Sequence, residues 1–188
     1  MVIGMATAPA VSQILGNDGL EFLKALQEGE GSKAYSLAER NGTNIFNQRG
    51  TDGDAPLHIV IRKRNGNWIG FLLSKGADPN IAGRDGDTPM ILAARSGYYE
   101  GVERLIGARA DVNRVNRRGE SPLIVAVNQR QPRIAKLLLE VGADPDKRDY
   151  AAGYSAREYA RRDSRMPELL RLIETVKKPT SKVASPTR

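Results

Sequence analysis

A period of 33 residues runs through the sequence and constrains its fold more than any other feature. Gly53, Gly86 and Gly119 fall in register, as do Pro56, Pro89 and Pro122, then Leu72, Leu105 and Leu138. Ala77, Ala110 and Ala143 follow, each ahead of an aspartate, and Asn47, Asn80, Asn113 and Asp146 continue the register. Self-similarity at this spacing marks a stack of small units rather than one closed core. A single unit cannot bury both sides of its own elements, so each must lean on the next.

The unit reads as a turn followed by two short helices. In Asp85-Gly86-Asp87-Thr88-Pro89-Met90 the glycine supplies the positive φ of a tight turn. Thr88 is a helix N-cap, and Pro89 takes the first helical position, where its missing N–H is harmless. Ser121-Pro122 repeats the device, and Ser155 with Glu158 forms a capping box. A first helix through Ile91 to Ala94 ends at Gly97, and a second carries Val102, Leu105 and Ile106 at helical spacing. Gly76 and Gly142 close the second helices of their units. Arg64 and Arg130 stand where Gly97 stands, so those inter-helix turns are expected to fall instead on Asn65-Gly66 and Gln131-Pro132.

These segments resemble the ankyrin repeat family. The matching runs are Gly53-Asp54-Ala55-Pro56-Leu57-His58, Gly86-Asp87-Thr88-Pro89-Met90 and Gly119-Glu120-Ser121-Pro122-Leu123, with Gly76-Ala77-Asp78-Pro79-Asn80 and Gly142-Ala143-Asp144-Pro145-Asp146. The resemblance implies an all-α solenoid of about five units: a degenerate N-terminal cap at 19–51, full units at 52–84, 85–117 and 118–150, and a C-terminal cap at 151–176. Glu21, Lys24, Glu28 and Lys33 are expected on the outer side of the first cap, with Arg161, Arg162 and Arg171 on that of the last. Leu20, Leu23, Leu26, Leu169, Leu170 and Ile173 supply the inward faces. The family's histidine, which ties neighbouring turns, survives only as His58; Ile91 and Ile124 replace it, so adhesion between units is expected to rest more on apolar packing.

Cysteine is absent and His58 is the sole histidine, which excludes thiol chemistry, disulfides and Cys/His metal sites. No catalytic residue, cofactor or metal is expected, and the protein reads as a non-enzyme. Of the net charge of +7, four units lie in 177–188, a polar stretch expected to be a disordered basic tail. The rest is only mildly basic, which weakens a nucleic-acid reading. Residues 1–17 carry no charged side chain and are broken by glycine and proline, too short and polar to span a bilayer. They read as a flexible leader of a soluble cytoplasmic protein or as the remnant of a bacterial signal for export to the periplasm. Residues Gly153 to Asp163 resemble the terminal repeat of small exported bacterial members of the same family, which supports the export-signal reading, while the absence of cysteine fits either compartment.

The resemblance implies a concave side formed by the projecting turns and the exposed face of each first helix. On this chain that side would hold Arg62, Lys63, Arg84, Asp85, Asp87, Arg95, Ser96, Arg117, Arg118, Glu120, Asn128, Gln129, Tyr150 and Tyr154. Arginine suits bidentate pairing with carboxylates and tyrosine supplies contact area, so the expected partner of this monomer is another protein with an acidic surface. The alternative is nucleic acid or an anionic membrane surface held by the basic turns and tail. Trp68 is expected in the core, and at least one of Tyr98 and Tyr99 at the surface.

Overall fold

The computed structural model describes residues 10–175, so the expected tail at 177–188 and residues 1–9 lie outside the described residues. Among the described residues ten α-helices follow one another in pairs: α1 (Ala10–Glu28) with α2 (Gly31–Asn41), α3 (Pro56–Arg62) with α4 (Gly66–Ser74), and α5 (Pro89–Arg95) with α6 (Tyr99–Gly107). α7 (Pro122–Asn128) pairs with α8 (Pro132–Glu140), and α9 (Ala156–Arg162) with α10 (Pro167–Thr175). α1 begins at Ala10, so part of the segment expected as a leader is helical.

The first helices pack in series, α1 on α3, α3 on α5, α5 on α7 and α7 on α9, while α4, α6, α8 and α10 form a second row behind them. Short loops that fold back on themselves join the pairs: Gly83 N–H donates to the Asp87 carbonyl at 2.8 Å and Asn116 N–H to that of Glu120 at 3.1 Å.

Local signals act as their chemistry dictates. The hydroxyls of Thr88 and Ser121 accept from the N–H of Ile91 and Ile124, each at 3.2 Å. Ser155 N–H donates to Glu158 Oε2 at 2.8 Å while Glu158 N–H returns to the serine hydroxyl at 3.3 Å. The inter-helix turns, however, do not move. Arg64 and Arg130 themselves adopt the left-handed conformation, with φ of 52° and 53° against 65° at Gly97. The strain of about 1–2 kcal/mol that a side chain meets there is opposed by reach. Arg64 donates to the carbonyl of Ser96 in the next pair and lies over the Tyr98 ring, and Arg130 Nε meets Asp163 at 2.8 Å. Arg109 likewise holds φ 59° where Gly76 and Gly142 close the flanking helices.

Burial follows the stacking. Residues 56–61, 89–94 and 122–127 are buried without a break, so the first helices of the full units are enclosed on all sides. The expected exposed face of these helices is absent; only their C-terminal ends emerge. Leu20, expected inside, is 45% exposed, whereas Leu23, Leu26, Leu169 and Ile173 are buried. Neither Tyr98 nor Tyr99 is fully exposed: Tyr98 is buried with its hydroxyl on the Arg64 carbonyl at 3.2 Å, and Tyr99 lies half-buried under Arg133. Trp68 is half-buried, edge-on to Phe71 and Phe22.

Polar ties between units are more regular than the sequence suggests. Asn47, Asn80 and Asn113 each accept, at 2.7 Å, the N–H of the aspartate 31 positions on, namely Asp78, Asp111 and Asp144. This ladder is the reason for the asparagine register. In the turns, His58 Nδ1 accepts from Ala55 N–H at 3.1 Å, so Nε2 carries the proton and donates to the Asp87 carbonyl of the next unit at 3.0 Å. That path runs over Gly83, where a Cβ would fall 2.6 Å from Nε2. One unit on, Ile91 replaces the histidine and Asn116 replaces the glycine. Asn116 Nδ2 then donates to Asp87 Oδ1 and Glu120 Oε2, both at 2.8 Å. The expected shift to apolar adhesion is thus corrected: a carboxamide takes over the imidazole's task.

Burial holds the His58 imidazole below its ordinary pKa of 6.5, against the opposing pull of the Asp87 carbonyl bond and the Asp54 charge. The unfolded chain then binds a proton that the folded one refuses, so stability is complete above about 6.5 and declines as pH falls toward the lower folded value. Urea midpoints at pH 8 and pH 5.5 should show this decline, and His58→Ile should flatten it. The carboxylates with lowered values, Asp54, Glu120, Asp149 and Glu158, act only in a more acid window.

Candidate partner-binding groove

Each full unit places an acid just ahead of its first helix and, in two of them, an arginine at that helix's end. Arg62 reaches back to Asp54, which is 2% exposed and also accepts Arg84 N–H at 3.2 Å. Burial works to raise the Asp54 carboxyl, but the bonds from Arg62 and Arg84 and the Arg62 charge outweigh it and hold the group below the usual range. Arg95 Nη2 meets both oxygens of Asp87 at 3.2 and 3.1 Å and Glu120 Oε2 at 3.4 Å. Arg118 Nη2 joins the same Glu120 oxygen at 2.7 Å. Burial again opposes ionisation of Glu120, and Asn116 with Arg118 and Arg95 overcome it. Two units are thereby stitched by a network in which both acids are satisfied.

Six of the expected residues, Arg62, Asp85, Asp87, Arg95, Arg117 and Arg118, line one open recess of about 590 Å³, with Leu92 as its apolar floor. Arg84 sits on the turn beside it and Glu120 is bonded into it. Lys63, Ser96, Asn128 and Gln129 lie at the far ends of the first helices and do not join the recess. Tyr150 is 72% exposed. Tyr154 is half-buried, edge-on to Tyr159 at 5.5 Å with the Arg162 guanidinium 4.0 Å from its centroid, so its faces are largely engaged.

Sequence reasoning treated the arginines as equivalent, and the structure separates them. Arg62, Arg95 and Arg118 are bonded to the protein's own carboxylates, whereas Arg84 and Arg117 are exposed and make no ion pair among the described residues. It also missed two residues of the polar framework, Asn116 and Asp149. Asp149 accepts the N–H groups of Ala151, Ala152 and Gly153 and the Tyr159 hydroxyl at 2.5 Å, fixing the last turn. Burial and that bond raise the Tyr159 phenol to about 12. The signal for both was a register position that changes from Gly50 and Gly83 to Asn116 and Asp149. His58 has both ring nitrogens engaged within the turns, which accounts for it structurally.

No curated protein matches the chain. A family model of ankyrin repeats in three copies matches residues 12–116 and, in a second register, 57–149. Those spans contain the three full helix pairs and the turns between them. Sequence period, helix pairing and family match converge over more than half of the chain, which belongs to the ankyrin repeat family.

Proposed function

We propose that the protein is a non-enzymatic interaction module that binds an acidic region of another protein along the recess between its projecting turns. Ankyrin repeats are generally protein–protein interaction modules. The observation that carries the finer reading is the division among the arginines. Asp54, Asp87 and Glu120 are paired from within, and among the exposed turn residues in no ion pair within the described chain Arg84 and Arg117 outnumber Asp85, so the balance there is positive. Rigid presentation adds to this, because turns held by neighbouring units lose little freedom on binding.

Affinity purification with the intact protein and with Arg84→Glu/Arg117→Glu tests the reading. Neither side chain supports the fold, so circular dichroism should be unchanged while proteins bound by the parent are lost from the variant. An unchanged set of bound proteins, or capture of nucleic acid in their place, would overturn it.

A further inference from the structure

The same position of three consecutive units holds Arg84, Arg117 and Tyr150. All three are exposed, and their backbone N–H groups are each tied to the preceding turn: Arg84 to Asp54 Oδ1 at 3.2 Å, Arg117 to the Asp85 carbonyl at 3.1 Å, and Tyr150 to the Arg118 carbonyl at 2.8 Å. Each also lies across the glycine of the preceding turn. A Cβ on Gly53 would meet the Arg84 backbone at 3.7 Å, one on Gly86 the Arg117 N at 2.9 Å, and one on Gly119 the Tyr150 ring at 2.6 Å. The row is therefore pinned at its backbone, with the Tyr150 ring lying over Gly119 and the Arg84 and Arg117 guanidinium groups in no ion pair among the described residues.

Helices that pack side by side sit about 8–10 Å apart, so equivalent turn positions recur at about that spacing. A chain in the extended polyproline II form advances about 3.1 Å per residue with three residues per turn, so every third side chain points the same way and about three residues fall on each unit.

We propose that this row reads an extended segment of the partner in a three-residue frame, with acidic side chains on Arg84 and Arg117 and an aromatic or large apolar side chain on Tyr150. The inference rests on the groove being a protein-binding surface and adds the pattern that it selects. Arg62, Arg95, Arg118, Asp87 and Glu120 hold the turns in place and do not read sequence. Tyr150 supplies a broad, rigidly seated ring at the end of the row, where an aromatic partner gains offset or edge contacts. The arginines supply the bidentate forks that distinguish a carboxylate from other polar groups.

Fluorescein-labelled peptides test the frame by anisotropy: Glu-Ser-Gly-Glu-Ser-Gly-Trp, the same sequence reversed, and the scramble Glu-Glu-Trp-Ser-Gly-Ser-Gly. One framed orientation is expected to bind at least tenfold more tightly than the scramble. Tyr150→Ala should remove that advantage and leave scramble binding unchanged, while Arg84→Glu/Arg117→Glu should abolish binding of all three. Equal affinity for framed and scrambled peptides would reduce the row to a general electrostatic surface and overturn the proposal. If no peptide binds, yet protein capture still depends on Arg84 and Arg117, the frame is wrong and the groove reading stands. If peptides bind and capture proceeds without regard to Arg84 and Arg117, both fall.

Discussion

Replacing Leu105 with alanine is expected to lower the stability of the protein by about 2–5 kcal/mol. Leu105 is 0% exposed on α6, a helix that touches α4 on one side and α8 on the other. Leu72 and Leu138 hold the same position in those neighbours and are equally buried. In a stack of this kind stability is a sum of weak units and strong interfaces. Truncation at the middle of the row therefore weakens two interfaces at once, and the enclosed helices leave little room for the cavity to close. Urea unfolding measures the loss. Amide exchange should locate it, with protection falling in α4, α6 and α8 and least change in α1. A loss below about 1 kcal/mol would mean that α6 is not packed as described.

The second large effect is a cycle across the turns that His58 connects. His58→Ile removes the imidazole, leaving the buried Ala55 N–H without its partner and the Asp87 carbonyl with the Gly83 N–H alone, an expected loss of about 2 kcal/mol. Gly83→Asn drives a Cβ to within 2.6 Å of His58 Nε2 and 2.8 Å of Asp54 Oδ1, with a similar expected loss of about 2 kcal/mol. Together the two substitutions rebuild the arrangement that the next unit already uses, in which Ile91 leaves space and Asn116 donates across the turns. The double variant should accordingly recover most of both losses, with a coupling of about 2–3 kcal/mol. Additive losses would show that the two arrangements are not interchangeable. Urea midpoints of the four proteins decide between the outcomes.

The unit architecture was legible because each unit states its own local requirements. Thr88-Pro89, Ser121-Pro122 and Ser155 with Glu158 cap helices through atoms no more than three residues away, and such signals survive in any context. The inter-helix turns were misplaced at Arg64 and Arg130 because residue preference disfavours a left-handed arginine. The compensating bonds, to Ser96 and Asp163, come from 32 and 33 residues along the chain. Leu20 was misjudged for a related reason: helical spacing places it near the apolar stripe of α1, and only the position of α3 decides how wide that stripe is.

The groove was legible in composition but not in function. The register groups Arg62, Asp85, Asp87, Arg95, Arg117 and Arg118, which line one recess, yet it could not tell an arginine that holds a turn from one that faces water. That distinction depends on which carboxylate each guanidinium finds.

By itself the sequence determined the period, the helix pairs, their caps and the ankyrin fold, since these follow from contacts within a few residues repeated unit after unit. The tertiary structure alone decided which polar groups join neighbouring units, that the first helices of the full units are enclosed up to their C-terminal ends, and that the Arg84 and Arg117 side chains make no ion pair among the described residues. Those outcomes depend on side chains about one period apart, and only stacking brings such side chains within hydrogen-bond reach.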